Sequence, residues 1–483
     1  MTMSQLEDIR RYVGSVREET EDIARRVWDY AELPFEEYKS ADLFKKALAE
    51  KGFEIEDGLA GIPTAFLAKC SVGTGKPVFG LLAEYDALDT LSQEAGLTVR
   101  KPVKEGAPGH GCGHNLLGAA CYGTAVAVRD YMKDNGIDGT VIFFGCPAEE
   151  GAGSKQFIAR AGYFDDVDFC YTWHPSNYNE VGNTGSVAIM GANFTFEGIA
   201  SHAGGSPHLG RSALDAAELM NIGVQFLREH MIDQARVHYA FTNAGGTAPN
   251  VVQDHAALKY EVRAPKVSQM KELFDRVVHI ARGAAEMTET KMDYEITMAF
   301  SDYIGSPALS EMMSACMEEC GAPVWDETDY EMARNMLKSY NEATISNIRE
   351  TLAERFGADK VDELMEKPLH GGVIPYERVK NPVYKSGSTD VGDVAYATPT
   401  VMLNTATSCL GNVGHTWQNT SFCGSRIGMK GMMKACEIMA LACVRTAQDP
   451  ALIEKARAEL LAKNGGHYTC PLPDEVLPPI GKY

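Results

Sequence analysis

Three short apolar runs constrain how this chain can fold, because each one stops at residues suited to chemistry. The run Val78–Ala83 ends on Glu84-Tyr85-Asp86. Residues 141–144 lead through Gly145-Cys146-Pro147-Ala148 to Glu149-Glu150, and residues 169–172 lead to His174. A helix at 116–132 separates the first two runs, and the pattern returns with a strand at 399–405 and a helix at 424–447. Strands alternating with helices predict an α/β sheet, and polar residues just past the strand ends put its site at that edge.

Between about 186 and 300 the texture changes. Apolar and polar residues alternate at 188–198, 257–263 and 291–299, and helical spacing runs over 212–230 and 270–286. A strand–helix–strand–strand–helix–strand order predicts a small ferredoxin-like α+β unit inserted between two parts of the α/β domain. The expected division is a first catalytic part at 1–186, the insert at 187–302 and a second catalytic part at 303–483. An acidic helical elaboration spans 320–385. Residues 5–50 predict two amphipathic helices around the Glu32-Leu33-Pro34 break.

At 483 residues, with 45% hydrophobic and 23% charged residues, the chain has the composition of a globular protein of two or three domains. A net charge of -21 argues against nucleic acid and anionic membranes as partners. The same charge repels acidic substrates at long range, so an anionic substrate needs a local Arg or Lys anchor. No apolar run approaches the roughly 20 residues of a membrane helix. The opening MTMSQLEDIRRYVGSVREET is charged and has no apolar signal region. The 12 cysteines are irregularly spaced and read as reduced core residues. A cytoplasmic location is expected.

The chemistry lies in an ordered set of donors: Cys112-Gly113-His114, Glu149-Glu150, His174 and His415. One thiolate, three imidazoles and one carboxylate suffice for two zinc-like ions, and a second carboxylate is left over as general base. An i, i+2 Cys/His pair in a Gly-rich turn can aim both donors at one ion. His110 competes as a ligand, and Cys112 has an alternative reading as a nucleophile with His114 as its base. Glu149-Glu150 is distinguished only by context, since Glu18-Glu19, Glu36-Glu37 and Glu318-Glu319 read as solvated helix faces. Asp86 is placed to orient a ligand imidazole. In the insert, His202 is a candidate donor to an oxyanion and Arg211 a candidate partner for a substrate carboxylate. The loop 243–250, ending at Asn250, offers amides to the same anion.

The order of the motifs resembles the aminoacylase/carboxypeptidase superfamily of co-catalytic metallopeptidases. The carrying segments are LLAEYDAL (81–88), GHGCGHNLLG (109–118), GCPAEEG (145–151), TWHP (172–175), SHAGGSPHLGRSALDA (201–216), GGTAPNVVQD (245–254), GSTDVGDV (387–394) and GHTWQ (414–418). They are similar to the amidohydrolase branch that includes hippurate and auxin-conjugate hydrolases, and within it to the p-aminobenzoyl-glutamate hydrolase B-subunit group. The resemblance implies a zinc-peptidase-like mixed sheet flanked by helices, with the insert as a lid that mediates homodimerisation. It implies Cys112, His114, Glu150, His174 and His415 as ligands of two divalent ions (Zn or Mn), with Cys112 a candidate bridge. Glu149 is then the catalytic base and Asp86 the support of a ligand. His202, acting in catalysis, and Asn250 contact substrate from the lid, with a reach across the dimer a candidate route for His202.

The chain departs from the branch at Asn115-Leu116-Leu117, where Asp and a further His are usual. It also departs at Glu84, where the commoner carboxypeptidases place a His, so Glu84 has no assigned role. The expected activity is metal-dependent hydrolysis of an N-acyl amino acid, with p-aminobenzoyl-glutamate or a related acyl-glutamate or acyl-aspartate as substrate. A dipeptidase or deacylase for neutral or basic amino acids, and an inactive regulatory subunit, are the alternatives. A homologous partner subunit is a further candidate partner.

Overall fold

The computed structural model describes residues 4–379, 384–385 and 387–482. In chain order its strands are β1 (Glu54–Asp57), β2 (Phe66–Val72), β3 (Val78–Ala83), β4 (Gly139–Gly145), β5 (Phe169–Ser176), β6 (Glu180–Val181), β7 (Gly185–Ser186), β8 (Ala188–Glu197), β9 (Arg236–Asn243), β10 (His255–Ala264), β11 (Lys291–Phe300), β12 (Tyr384–Lys385) and β13 (Thr400–Ala406). The apolar runs become the centre of a seven-stranded mixed sheet in the order β1-β2-β4-β3-β5-β13-β6. Its four middle strands are mutually parallel, while β1, β2 and β6 pair antiparallel. Parallel strands bring all their carboxyl ends to one edge, which is why Glu84, Glu149 and the loop after β13 meet there.

Helix His114–Asn135 starts at that edge and is buried from His114 through Arg129. It is covered by the sheet and by helix Arg426–Ala447, so it has no solvent face to mark with charge. Gly113 makes its sharp entry possible. The residue has φ 102, and a Cβ there would lie 2.9 Å from Pro175 Cγ. Only a glycine can therefore separate Cys112 from His114 in this geometry.

The start of the chain forms three helices rather than two: Gln5–Ser15, Arg17–Tyr30 and Tyr38–Glu50. The break at Glu32–Pro34 is present, and a second falls at Val16, whose φ of -104 and ψ of 2 interrupt the helix. β5 also runs further than its apolar stretch, because β13 keeps pairing with it as far as Ser176. His174 therefore lies within the strand and not beyond its end.

Residues from Ala188 onward build a four-stranded antiparallel sheet in the order β11-β8-β10-β9, against which helices Ala213–Leu227 and Val267–Thr288 pack. The acidic stretch after 320 supplies helices Glu327–Leu337, Glu342–Phe356 and Val361–Glu366, with a core of their own around Trp325, Met336 and Leu352. Residues 380–383 of that stretch lie outside the described residues. All 12 cysteines are free, and nine of them are buried. Among the described residues no helix is long and apolar enough to cross a membrane.

Asp393, on helix Val391–Ala397, ties that helix to the end of β11 at Ser301. Its carboxylate accepts from Ser301 N at 3.1 Å, Ser301 Oγ at 2.7 Å and Tyr468 Oη at 3.0 Å. Burial is the main reason its pKa rises from 3.8 to about 7, with nearby Asp390 adding to it. A folded-state pKa above the unfolded one means that the folded protein holds the proton more tightly. The stabilisation is complete below the unfolded pKa and is lost as pH rises through about 7. Urea unfolding of the parent and of Asp393→Asn should therefore diverge between about pH 4 and pH 8, the parent losing up to about 4 kcal/mol relative to the variant. A gap that stays constant with pH would show that Asp393 is ionised throughout.

Candidate metal centre

Three strand ends and two turns bring the donors together. His114, on the first turn of its helix, gives its Nδ1–H to Asp86 Oδ1 at 2.7 Å, which turns Nε2 into the cleft. Asp86 Oδ2 accepts from Glu150 N at 2.8 Å, so one buried carboxylate orients two candidate ligands. His174 Nδ1 donates to the Pro175 carbonyl at 2.8 Å, leaving Nε2 at 3.3 Å from Cys112 Sγ. His415 Nε2 lies 3.4 Å from Glu150 Oε1.

Among the described residues, donor atoms fall within 4.8 Å of one another in three triads: Cys112, His114 and His174; Cys112, Glu150 and His415; Glu84, His114 and Glu149. The first two share the thiol of Cys112. His114 Nε2 and Glu150 Oε1 are buried with no hydrogen-bond partner among the described residues. Buried polar atoms are rarely left so, and these two are the ones a cation would satisfy. The soft thiolate, imidazole and carboxylate set suits zinc-like divalent ions. The donors present therefore fit the group the sequence implies.

Two non-glycine residues at the site adopt left-handed backbone. Ala148, just before Glu149, has φ 62, and His415 has φ 56. Such conformations persist only where surroundings enforce them. Ala148 is held by its N–H on Glu37 Oε1 at 2.8 Å, and His415 by its N–H on the Gly111 carbonyl at 3.0 Å. Asn419 Nδ2 bonds the same carbonyl at 2.7 Å, and its Oδ1 accepts from Asn412 Nδ2 at 2.7 Å. Glu37 corrects one expectation. It is fully buried rather than part of a solvated helix face, and Thr64 Oγ1 fills its other oxygen at 3.0 Å.

The paired glutamates have opposite electrostatics. Burial, then the carboxylates of Glu84 and Glu150, push Glu149 well above the usual carboxylate range. Glu150 is also buried, but the neighbouring His415 imidazole and the His114 charge outweigh this and hold it at about 2. Glu84 lies with Oε1 2.7 Å from Lys155 Nζ and Oε2 3.3 Å from His114 Nε2. Lys155 also contacts Asp390 Oδ1 at 2.5 Å, and all three residues are buried.

The cleft around these groups has a volume of about 620 Å³. His110 is not part of it. Its Nε2 donates to the Val27 carbonyl at 3.0 Å, and burial followed by the His114 charge lowers it to about 3. His202, Asn250 and Arg211 sit on the insert and do not line this cleft. His202 Nδ1 accepts from Gly204 N and Gly205 N at 3.1 and 3.0 Å, which leaves Nε2–H as its outward donor. Asn250 lies beside it, its carbonyl taking Ala203 N at 2.9 Å. Arg211 pairs with Glu289 at 2.9 Å. Sequence reasoning missed Glu37, Lys155, Asp390 and Arg355, the last of which lines the cleft. Of these, only Asp390 lay in a motif already singled out, GSTDVGDV.

The profile of the family described as Peptidase family M20/M25/M40 matches residues 80–419. The chain is 40% identical to the p-aminobenzoyl-glutamate hydrolase B-subunit of Escherichia coli (strain K12), over 98% of its own length and 99% of that protein. It is 26% identical to Xaa-Arg dipeptidase of Mus musculus, over 91% of this chain and 88% of that one. The solved structure of a dinuclear metal-binding peptidase of the M20 family from Bacillus subtilis superposes with a TM-score of 0.57 at 17% identity, covering 90% of this chain and 99% of that one. A parallel-strand edge that gathers Cys112, His114, Glu149, Glu150, His174 and His415, on a chain so related, has one reading: the chain belongs to peptidase family M20/M25/M40 and is a metal-dependent amidohydrolase.

Proposed function

We propose that this chain hydrolyses an acyl-glutamate or acyl-aspartate, with p-aminobenzoyl-glutamate as the substrate to test first, using two divalent ions. The observation that carries the reading is the pair of donor triads that share Cys112, with Glu149 beside them in the same cleft. Cys112, His114 and His174 would hold one ion, and Cys112, Glu150 and His415 the other. When bound, such ions supply Lewis acidity to the amide carbonyl and to water. Glu149 takes the proton of the attacking water and returns it to the leaving amine. Asp86 keeps His114 in the tautomer that turns Nε2 into the cleft.

The insert acts as lid and dimer contact in this reading. Ile222 and Phe226 on its first helix and Tyr239 and Phe241 on the outer strand β9 are exposed, an apolar surface suited to a second copy. His202, remote from the cleft of its own chain and with a free donor, would then serve the partner's site, with Asn250 beside it. The Escherichia coli relative is named as one part of a hydrolase with more than one kind of chain, which supports a homologous companion chain as the other candidate for that surface.

Dialysis against a chelator should abolish turnover of p-aminobenzoyl-glutamate, and reloading Zn or Mn should restore it at about two ions per chain. Activity that survives in chelator but not alkylation would instead make Cys112 a nucleophile. Absence of stoichiometric metal would sink the two-ion mechanism.

A further inference from the structure

Resting on the acyl-glutamate reading, we propose that Arg355 selects the acidic side chain of the leaving amino acid. With a net charge of -21, the chain repels anions at a distance, so an acidic substrate needs a cation inside the cleft. Among the described residues that line the cleft, Arg355 is the sole lysine or arginine. It is carried by the last turn of helix Glu342–Phe356, part of the helical elaboration rather than of the catalytic sheet or the insert.

Its surroundings preorganise it. The guanidinium carbon stands 3.9 Å over the ring of Tyr178, four residues past His174. Phe356 and His370 pack against that ring at 6.0 and 5.8 Å. One edge of the guanidinium bonds Glu180, and the two side chains remain 29% and 13% exposed. A guanidinium has five N–H donors, so this contact leaves others for a ligand. Glu180 already shows the contact a glutamyl carboxylate would make, on a cation stacked over an aromatic ring. The α-carboxylate is common to every acyl-amino acid and cannot discriminate among them. The side-chain carboxylate can.

The wall that carries Arg355 is braced against the His415 loop. Tyr340 Oη donates to Asn412 Oδ1 at 2.8 Å and accepts from Val413 N at 3.2 Å. Arg355 is thus fixed relative to a ligand of the metal centre, as a specificity residue must be.

The test uses the metal-reloaded enzyme with p-aminobenzoyl-glutamate, p-aminobenzoyl-glutamine and p-aminobenzoyl-lysine, in the parent and in Arg355→Gln, Arg355→Lys and Glu180→Gln. Losing one charge-assisted bond should raise KM for the glutamate compound about tenfold to a hundredfold in Arg355→Gln, with kcat little changed and the glutamine compound unaffected. Arg355→Lys should retain part of the preference, and Glu180→Gln, which removes only the guanidinium's charged partner, should not abolish it. Equal losses on the glutamate and glutamine compounds, or no loss on either, would overturn the assignment. So would a parent that prefers the lysine compound and loses that preference in Glu180→Gln, since Glu180 would then be the selector. A parent that turns over none of the three compounds would remove the p-aminobenzoyl-amino acid reading itself, whatever Arg355 does.

Discussion

Replacing Glu149 with glutamine is expected to lower kcat by about two to four orders of magnitude while leaving the bound metal in place. The expectation comes from the division of labour between two adjacent carboxylates. Glu150 belongs with Cys112 and His415, and its ordinary pKa is pulled down to about 2, so it meets a cation already ionised. Glu149 falls instead with Glu84 and His114, and burial beside two other carboxylates raises its affinity for a proton. That is the property a group needs to take a proton and return it. Backbone geometry enforces the split. The left-handed turn at Ala148, held by Glu37, and the bond from Glu150 N to Asp86 send the two side chains to different donor groups. Glu150→Gln should show the opposite pattern, losing metal stoichiometry together with turnover. Metal analysis beside kcat on both variants decides the matter, and a Glu149→Gln protein that loses metal would reverse the two roles.

How much of this was legible in the chain depends on what kind of contact makes each residue matter. The strands and their carboxyl-edge residues were readable because burial on both faces leaves a continuous apolar run, as in Val78–Ala83. The insert was readable where one face is buried, as in β10, whose residues alternate in burial along its length. β9 is exposed at nearly every position and imposes no such period, so its place had to come from pairing with β10. Cys112, His114, His174 and His415 stood out by residue type, whereas Glu150 rested on its context and on the family resemblance; the fold brings the five donors together. Glu37 could not, since its neighbours resemble those of a surface helix and its burial comes from Thr64 and Ala148, each distant in sequence. Arg355 was equally silent, one charge among many on an acidic helix until Tyr178 and Glu180 are brought beneath it. Arg211 shows the converse. It occupies a promising motif, yet it does not line the cleft of its own chain and pairs with Glu289 instead.

The other large effect is expected on stability, from Lys155→Met. Lys155 is fully buried, with Glu84 at 2.7 Å and Asp390 at 2.5 Å, and these two carboxylates are themselves 2% and 0% exposed. Asp390 also accepts from the backbone of Ser154 and Lys155 at 2.9 and 3.0 Å, so it cannot turn away to water. Burial alone would lower the lysine's pKa, but the two carboxylates outweigh it and hold the ammonium charged. Methionine fills a similar volume and removes only the charge, leaving two buried carboxylates without their cation. Breaking a buried ion pair in this way costs about 3–5 kcal/mol. The midpoint of urea unfolding should fall accordingly. Adding Glu84→Gln and Asp390→Asn to Lys155→Met should recover much of the loss, because the destabilisation lies in the stranded charges and not in the missing contact. Recovery of stability without recovery of turnover would place Glu84 in the chemistry as well, beside His114 and Glu149. A loss below about 1 kcal/mol in the single variant would mean that the carboxylates take up protons at little cost, and that Lys155 does not hold this corner of the site together.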